Sequence, residues 1–290
     1  MTAASQAPTP TQTPTRARAP RLEQLFLPTA RGEILLTSWV PGDARPAHWL
    51  LVAPPFAEEM NKSRRMFALL GQAAARAGYG VLLVDLAGTG DSWGDFRDAR
   101  YEQWLDDLRA AVRWVEAGGG QVRAILGLRF GALLAMEMAR ELPSLRRLLL
   151  WQPAQSGTDV LTQFLRLRTA AALTGGGEAG ETLESLRTRL EQGEALEVAG
   201  YELPSELYSA VRRRQLAELL PPSPLVIDWF HLVRQDGVQL PVAIGAAAER
   251  LRVPGGTSRT HTVRGDAFWA TAEIASCVEL VELTVACLVA

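Results

Sequence analysis

The sequence predicts an α/β architecture, a mostly parallel sheet covered by helices on both faces. Continuous apolar runs ("HWLLVAPPF", "GVLLVDLAG", "VRAILG", "RRLLLWQP") read as strands buried on both sides. Amphipathic stretches of helical length separate them. A third observation is the turn in "ILGLRFGALLA", residues 125–135, where an apolar run reaches Gly127, bends through Leu128-Arg129-Phe130-Gly131 and continues as an apolar helix.

The elements follow in order. "EQLFLP" and "EILLTSWV" are strand candidates joined by a turn at Ala30-Arg31-Gly32, and "HWLLVAPPF" is a buried strand ended by Pro54-Pro55. "SRRMFALLGQAAARAGYG" has helical spacing through Met66, Leu69, Leu70, Ala73 and Ala77 and stops at Gly78. "GVLLVDLAGTGDS" is a strand with a Gly-rich turn. "YEQWLDDLRAAVRWVEAGGG" places Trp104, Leu108, Ala111, Val112 and Val115 on one helical face. "VRAILG", "FGALLAMEMAREL" and "RRLLLWQP" complete a strand, helix and strand. Residues 155–222 break this rhythm with Arg- and Glu-rich helical pieces and no comparable strand. The core resumes with the strand "PLVIDWFHL", a helix near "LPVAIGAAAERL", the strand "TSRTHTV" and a last helix from about Ala270. Ligands of such sheets bind at the C-terminal ends of the strands.

The chain has 290 residues, 48% hydrophobic and 21% charged, enough for a sizeable core. A net charge of −2 gives no electrostatic case for nucleic acid or an anionic membrane. Of its 30 cationic residues 29 are Arg and one is Lys62. No apolar run is long enough to span a bilayer, and "MTAASQAPTPTQTPTRARAP" reads as a disordered tail without a signal-peptide core. Cys277 and Cys287, ten residues apart on one helix, would lie about 15 Å from each other, too far for a disulfide. A reducing cytoplasm is the expected location. His48, His231 and His261 are scattered with no metal-ligand spacing around them, so neither a metal nor a cofactor is expected.

Three local motifs carry a family resemblance. "VAPPFAEEMNKSRRM" stands after the third strand, "DLAGTGDS" after the fourth, and "GLRFG" at the sharp turn. Over about residues 22–290 this order resembles the α/β-hydrolase superfamily, whose nucleophile sits on a G-x-S-x-G elbow between strand and helix. The wording "PPFAEEMNKSRR", "GLRFGALLA" and "GDAFWATAEI" is most similar to the second type of exosortase A system-associated hydrolase. That group is named for genomic co-occurrence with bacterial protein-sorting and exopolysaccharide systems. The resemblance implies a core of residues 21–154 and 223–290, a helical cap over residues 155–222, and a tail over residues 1–20.

The catalytic positions depart from the family. The elbow holds Arg129, which stays protonated and is no nucleophile. Ser92 reads as a turn or capping hydroxyl. The acid of the family follows the seventh strand, where Asp228 and Asp236 are the candidates, each with a structural reading as well. The histidine belongs in the loop after the last strand, which holds Asp266 instead, while His261 comes several residues early. The expected oxyanion donors are the backbone amides of Phe56 and Phe130. With the N-terminus of the helix that opens at Phe130, a cation at Arg129 makes an anion-binding site, with Lys62 on the loop after the third strand nearby. Glu58 and Glu59 on that loop offer the alternative, an internal ion pair with Arg129. The sequence therefore suggests two readings. One is a hydrolase-derived protein that has lost or altered ester hydrolysis and takes a small anionic or acyl-bearing metabolite. The other is a non-catalytic scaffold that binds a partner protein.

Overall fold

The computed structural model describes residues 18–173, 180–222, 224–235, 240–251 and 253–290. The expected tail, apart from residues 18–20, and Asp236 lie outside the described residues. The chain opens with a hairpin of β1 (Arg21–Pro28) and β2 (Glu33–Val40), closed where the Thr29 amide donates to Gly32 O at 2.8 Å. There follow β3 (His48–Ala53), α1 (Glu58–Arg76), β4 (Gly80–Val84), α2 (Tyr101–Ala117), β5 (Gln121–Leu128), α3 (Gly131–Ala139) and β6 (Arg147–Trp151). The segment up to the next core strand carries α4 (Gly157–Leu173), α5 (Leu183–Glu191), a ribbon of β7 (Leu196–Val198) and β8 (Tyr201–Leu203), and α6 (Ser205–Arg212). The core closes with β9 (Val226–Val233), α7 (Val242–Arg250), β10 (Thr257–Arg264) and α8 (Val278–Val289).

Eight strands form one sheet in the order β1-β2-β4-β3-β5-β6-β9-β10. β2 runs antiparallel to both its neighbours, and the strands from β4 to β10 are parallel. Period-two alternation splits each central strand between two cores. On one face Leu51, Ile125, Leu148 and Leu150 pack with α2, α3 and the segment between β6 and β9. On the other, Val52, Leu126, Leu149 and Phe230 pack with α1 and α8. Both faces being covered explains why these strands read as unbroken apolar runs.

Four elements differ from the sequence expectation. The stretch after β3 is not a loop through Lys62, because α1 starts at Glu58. Ala57 (φ 48°) turns the chain, and Glu58 and Glu59 then occupy the first helical turn, where carboxylates suit the positive end of the dipole. α3 stops at Ala139. The segment between β6 and β9 is not purely helical. In "LEVAGYEL", Ala199 and Gly200 both take positive φ (51° and 84°), the requirement of a two-residue hairpin turn, and Leu196, Val198 and Leu203 are buried. The last helix begins at Val278 rather than near Ala270. Phe268 and Trp269 are drawn into the core, and the chain stays irregular until Cys277, which caps α8. Both cysteines are free thiols.

Candidate functional site

The site is built on the turn from β5 into α3. Arg129 holds φ 55°, a left-handed conformation that costs a non-glycine residue about 1–3 kcal/mol. Its backbone is locked by three bonds. The Arg129 amide donates to Trp151 O (3.0 Å), and Arg129 O accepts from Ala154 (3.1 Å) and Ala132 (3.2 Å). The two flanking glycines are required sterically. A Cβ on Gly131 would lie 2.1 Å from Ala53 O, and one on Gly127 would lie 2.5 Å from Gly131 O. The strained turn is therefore sterically fixed, with Arg129 at its apex.

The Arg129 side chain is largely enclosed. Its Nε donates to Glu59 Oε1 at 3.3 Å, and an Nη donates to Gln163 Oε1 from α4. Its guanidinium carbon lies 5.6 Å from the centroid of the Trp269 ring, within cation–π range. Only 13% of the Arg129 side chain and 17% of the Glu59 side chain are exposed. Burial pushes the Glu59 carboxyl up to about 7, although the charge of Arg129 pulls it back down. Burial also raises Glu58, opposed by its helix-terminal amide and by Lys62, and Glu58 Oε2 meets no hydrogen-bond donor among the described residues.

These groups line a cavity of about 150 Å³, with Phe56, Lys62 and Phe164 also in its wall. The N-termini of α1 and α3 both open at this end of the sheet, each with a positive dipole end. Among the described residues the backbone amides of Phe56 and Phe130 donate to no other backbone group. The rings of Phe56 and Phe130 are buried and meet edge to face at 5.3 Å, and Phe164 of α4 meets Phe56 edge to face at 5.2 Å.

The remaining triad-position candidates do not gather here. Asp228 is fully buried in mid-strand, where it pairs with Arg147 at 2.6 Å and with His261 Nε2 at 2.8 Å. The register sets Asp228 level with Leu149, and Leu149 level with Leu126, three residues before the elbow and roughly 10 Å short of it along the strand. The His261 backbone is level with Phe230, and through it with Trp151 and Leu128, but β10 lies three strands across the sheet from β5. The His261 ring stacks on Phe230 and bonds Asp228, so it offers no base to position 129. Asp266 is exposed. Ser92 donates to Asp85 O and accepts from the Leu35 amide at 2.8 Å, so it ties the turn after β4 to β2. Sequence reasoning missed Gln163 and Trp269. Trp269 lies three residues beyond Asp266 in the same loop, but nothing in its spacing marks it as the residue that reaches the elbow. Gln163 sits on a helix whose placement only the tertiary fold gives.

The chain matches a family described as X-Pro dipeptidyl-peptidase (S15 family) over residues 33–162. It is 26% identical over 159 residues to a thermostable monoacylglycerol lipase of Bacillus sp. (strain H-257), a match covering 55% of this chain and 58% of the lipase. Among solved structures, Est1E from Butyrivibrio proteoclasticus with ferulic acid bound superposes with a TM-score of 0.59 at 15% identity, over 91% of this chain and 95% of that one. The esterase domain of a Rhodothermus marinus protein gives 0.58 at 16% identity, over 93% and 98%. The sheet order, the glycine-flanked elbow and these likenesses together show that the chain has the α/β-hydrolase fold.

Proposed function

We propose that the chain has lost serine-type acyl hydrolysis and uses the elbow pocket to bind a small metabolite bearing a carboxylate, phosphoryl or short acyl group. One observation carries this reading: the strained elbow is kept but presents a guanidinium, between two helix N-termini, to a cavity of about 150 Å³. An enclosed cavity of roughly this size holds one benzene-sized molecule, so a small ligand fits. The likeness to a lipase and to esterases supports the acyl class, and the sequence wording supports a setting in bacterial exosortase and exopolysaccharide systems.

Binding an anion requires Glu59 to give up Arg129. Protonation of Glu59 removes its competing charge, and an incoming carboxylate or phosphate then takes the guanidinium fork as a bidentate acceptor. The test compares the melting temperature in phosphate and in acetate with that in chloride at matched ionic strength, for wild type and Arg129→Ala. A ligand at about 100 times its dissociation constant stabilises by about 2.7 kcal/mol. The expected result is a rise in the wild type that Arg129→Ala loses. Equal responses overturn the anion site and favour the second reading, a scaffold on the hydrolase fold. That reading has its own support in the engagement of Arg129 by Glu59, Gln163 and Trp269.

A further inference from the structure

On the α8 side of the sheet, away from the elbow, three metal-competent atoms converge from three elements. They are a carboxylate oxygen of Asp228 (β9), Nε2 of His261 (β10) and Sγ of Cys287 (α8), all within 4.8 Å of one another. His261 Nε2 lies 2.8 Å from Asp228 Oδ1 and 3.8 Å from Cys287 Sγ. Asp228 is fully buried and Cys287 is 6% exposed. A single ring nitrogen carries one proton or one lone pair and so bonds one neighbour at a time, while the Cys287 thiol also lies within hydrogen-bond reach of Asp228. A metal ion at the centre satisfies all three at once.

We propose that Asp228, His261 and Cys287 bind one divalent ion of the Zn²⁺ class. A thiolate, an imidazole and a carboxylate are the donor set that late first-row ions prefer. Bond lengths of about 2.3 Å to sulfur and 2.0–2.2 Å to nitrogen and oxygen in tetrahedral geometry call for separations of about 3.6 Å (S to N) and 3.4 Å (N to O). The sulfur and nitrogen already stand near that spacing, and the nitrogen and oxygen reach it by opening about half an ångström. Arg147, whose Nη1 donates to Asp228 Oδ2 at 2.6 Å, holds the carboxylate and leaves Oδ1 for the ion. The stack of His261 on Phe230 (4.8 Å between centroids) fixes the ring plane.

A cavity of about 590 Å³ at the N-terminal ends of the strands has Arg147, Thr257 and Leu288 in its wall. Of these, Arg147 pairs with Asp228 and Leu288 follows Cys287 in sequence, and this is the side from which the proposed ion and a fourth-position water would enter. Coordination forms bonds from sulfur, nitrogen and oxygen to the metal. The thiol proton leaves to solvent, and the neutral imidazole keeps its proton on Nδ1. No redox step is involved. The sequence hid this set because its members are 33 and 26 residues apart and fit no ligand spacing.

The test titrates the reduced full chain with Zn²⁺ and with Co²⁺. Wild type and Cys277→Ser are expected to bind one equivalent with equal affinity, and the Co²⁺ form to show a thiolate charge-transfer band. Cys287→Ser is expected to lose that band and to weaken binding by at least about 100-fold, and His261→Gln to weaken it similarly. No binding by the folded wild type, or unchanged binding by Cys287→Ser, overturns the site. Should Cys287→Ser fail to fold, alkylation of the wild type decides. Zn²⁺ that slows modification of Cys287 but not Cys277 supports the site, and equal rates with and without Zn²⁺ at Cys287 refute it.

Discussion

Glu59 and Arg129, 70 residues apart in sequence, meet across the mouth of the elbow with Nε 3.3 Å from Oε1. The pairing has a physical origin on both sides. Arg129 is a cation beside the positive end of α3, an unfavourable place for positive charge that a carboxylate offsets. Glu59 stands in the first turn of α1, where the dipole favours an anion but burial opposes it. Each therefore needs the other unless a ligand supplies the negative charge.

The first prediction concerns pH. Glu59 is raised from 4.5 to about 7, with burial the largest cause. The folded chain holds this proton where the unfolded chain releases it, so the contribution to stability is complete below about 4.5 and is lost as pH rises to about 7. Asp107, pushed up to about 6 mainly by burial, and Glu58 slope the same way, so the variant comparison isolates Glu59. Glu59→Gln is expected to flatten the fall in melting temperature between pH 4.5 and 7.5. A Glu59→Gln profile as steep as the wild-type profile contradicts the assignment.

Serine chemistry is expected to stay absent. Wild type should not react with a fluorophosphonate probe, and Arg129→Ser should show ester hydrolysis at background. His261 is committed to Asp228 below the elbow, and the loop after β10 sends Trp269, not an imidazole, to position 129. Labelling of any serine in the folded wild type, or robust turnover by the single variant, shows that a base reaches the elbow and that this account of the site is wrong.

Fold and site were legible in the sequence to different depths. Buried parallel strands announce themselves because both faces are covered, and "GLRFG" marked the elbow because Gly127 and Gly131 are sterically compelled. The hairpin at Ala199-Gly200 was readable from period two around a turn pair, but it sat among Arg- and Glu-rich helices that set the expectation for the whole segment. The start of α8 was not readable, since Phe268 and Trp269 leave helical geometry for tertiary contacts. Glu59 stood among the candidates as one of two carboxylates near Arg129. That Glu59 and not Glu58 takes the pair, and that Gln163 and Trp269 complete it, depends on the start of α1 and the packing of α4, and no local pattern encodes either.

The elbow glycines allow a steric test. Gly131→Ala places a methyl 2.1 Å from Ala53 O, a backbone atom that cannot swing away. Overpacking of this kind costs about 1–3 kcal/mol and more where backbone must move. The upper end of that range, or no soluble protein, is expected in urea unfolding. A loss below about 0.5 kcal/mol means that β3 and α3 do not approach as described.

The last prediction concerns how the segment between β6 and β9 is held over the pocket. Its entering and leaving chains pair with each other, Ser156 bridging Gln215, with Gly157 N to Arg214 O and Leu216 N to Gln155 O both at 2.9 Å. From this neck Arg214 reaches the core. Its Nε donates to Glu137 Oε1 of α3 at 2.7 Å, its Nη2 donates to Glu102 of α2 at 2.9 Å, and its guanidinium covers the Tyr101 ring at 4.3 Å. Tyr101 donates to the same Glu137 oxygen at 3.0 Å, and burial, ahead of the Glu137 charge, pushes its phenol upward so that it stays a donor. One planar cation thus joins two core helices to the neck and stacks on a ring, which an ammonium cannot do. Arg214→Ala is expected to cost about 1–3 kcal/mol and to speed limited proteolysis within residues 155–222 several-fold while cleavage elsewhere is unchanged. Arg214→Lys should recover little of either effect. If Lys restores wild-type resistance, charge alone holds the neck, and if Ala leaves the proteolysis rate unchanged, the backbone pairing at Ser156 and Gln215 suffices without the clamp.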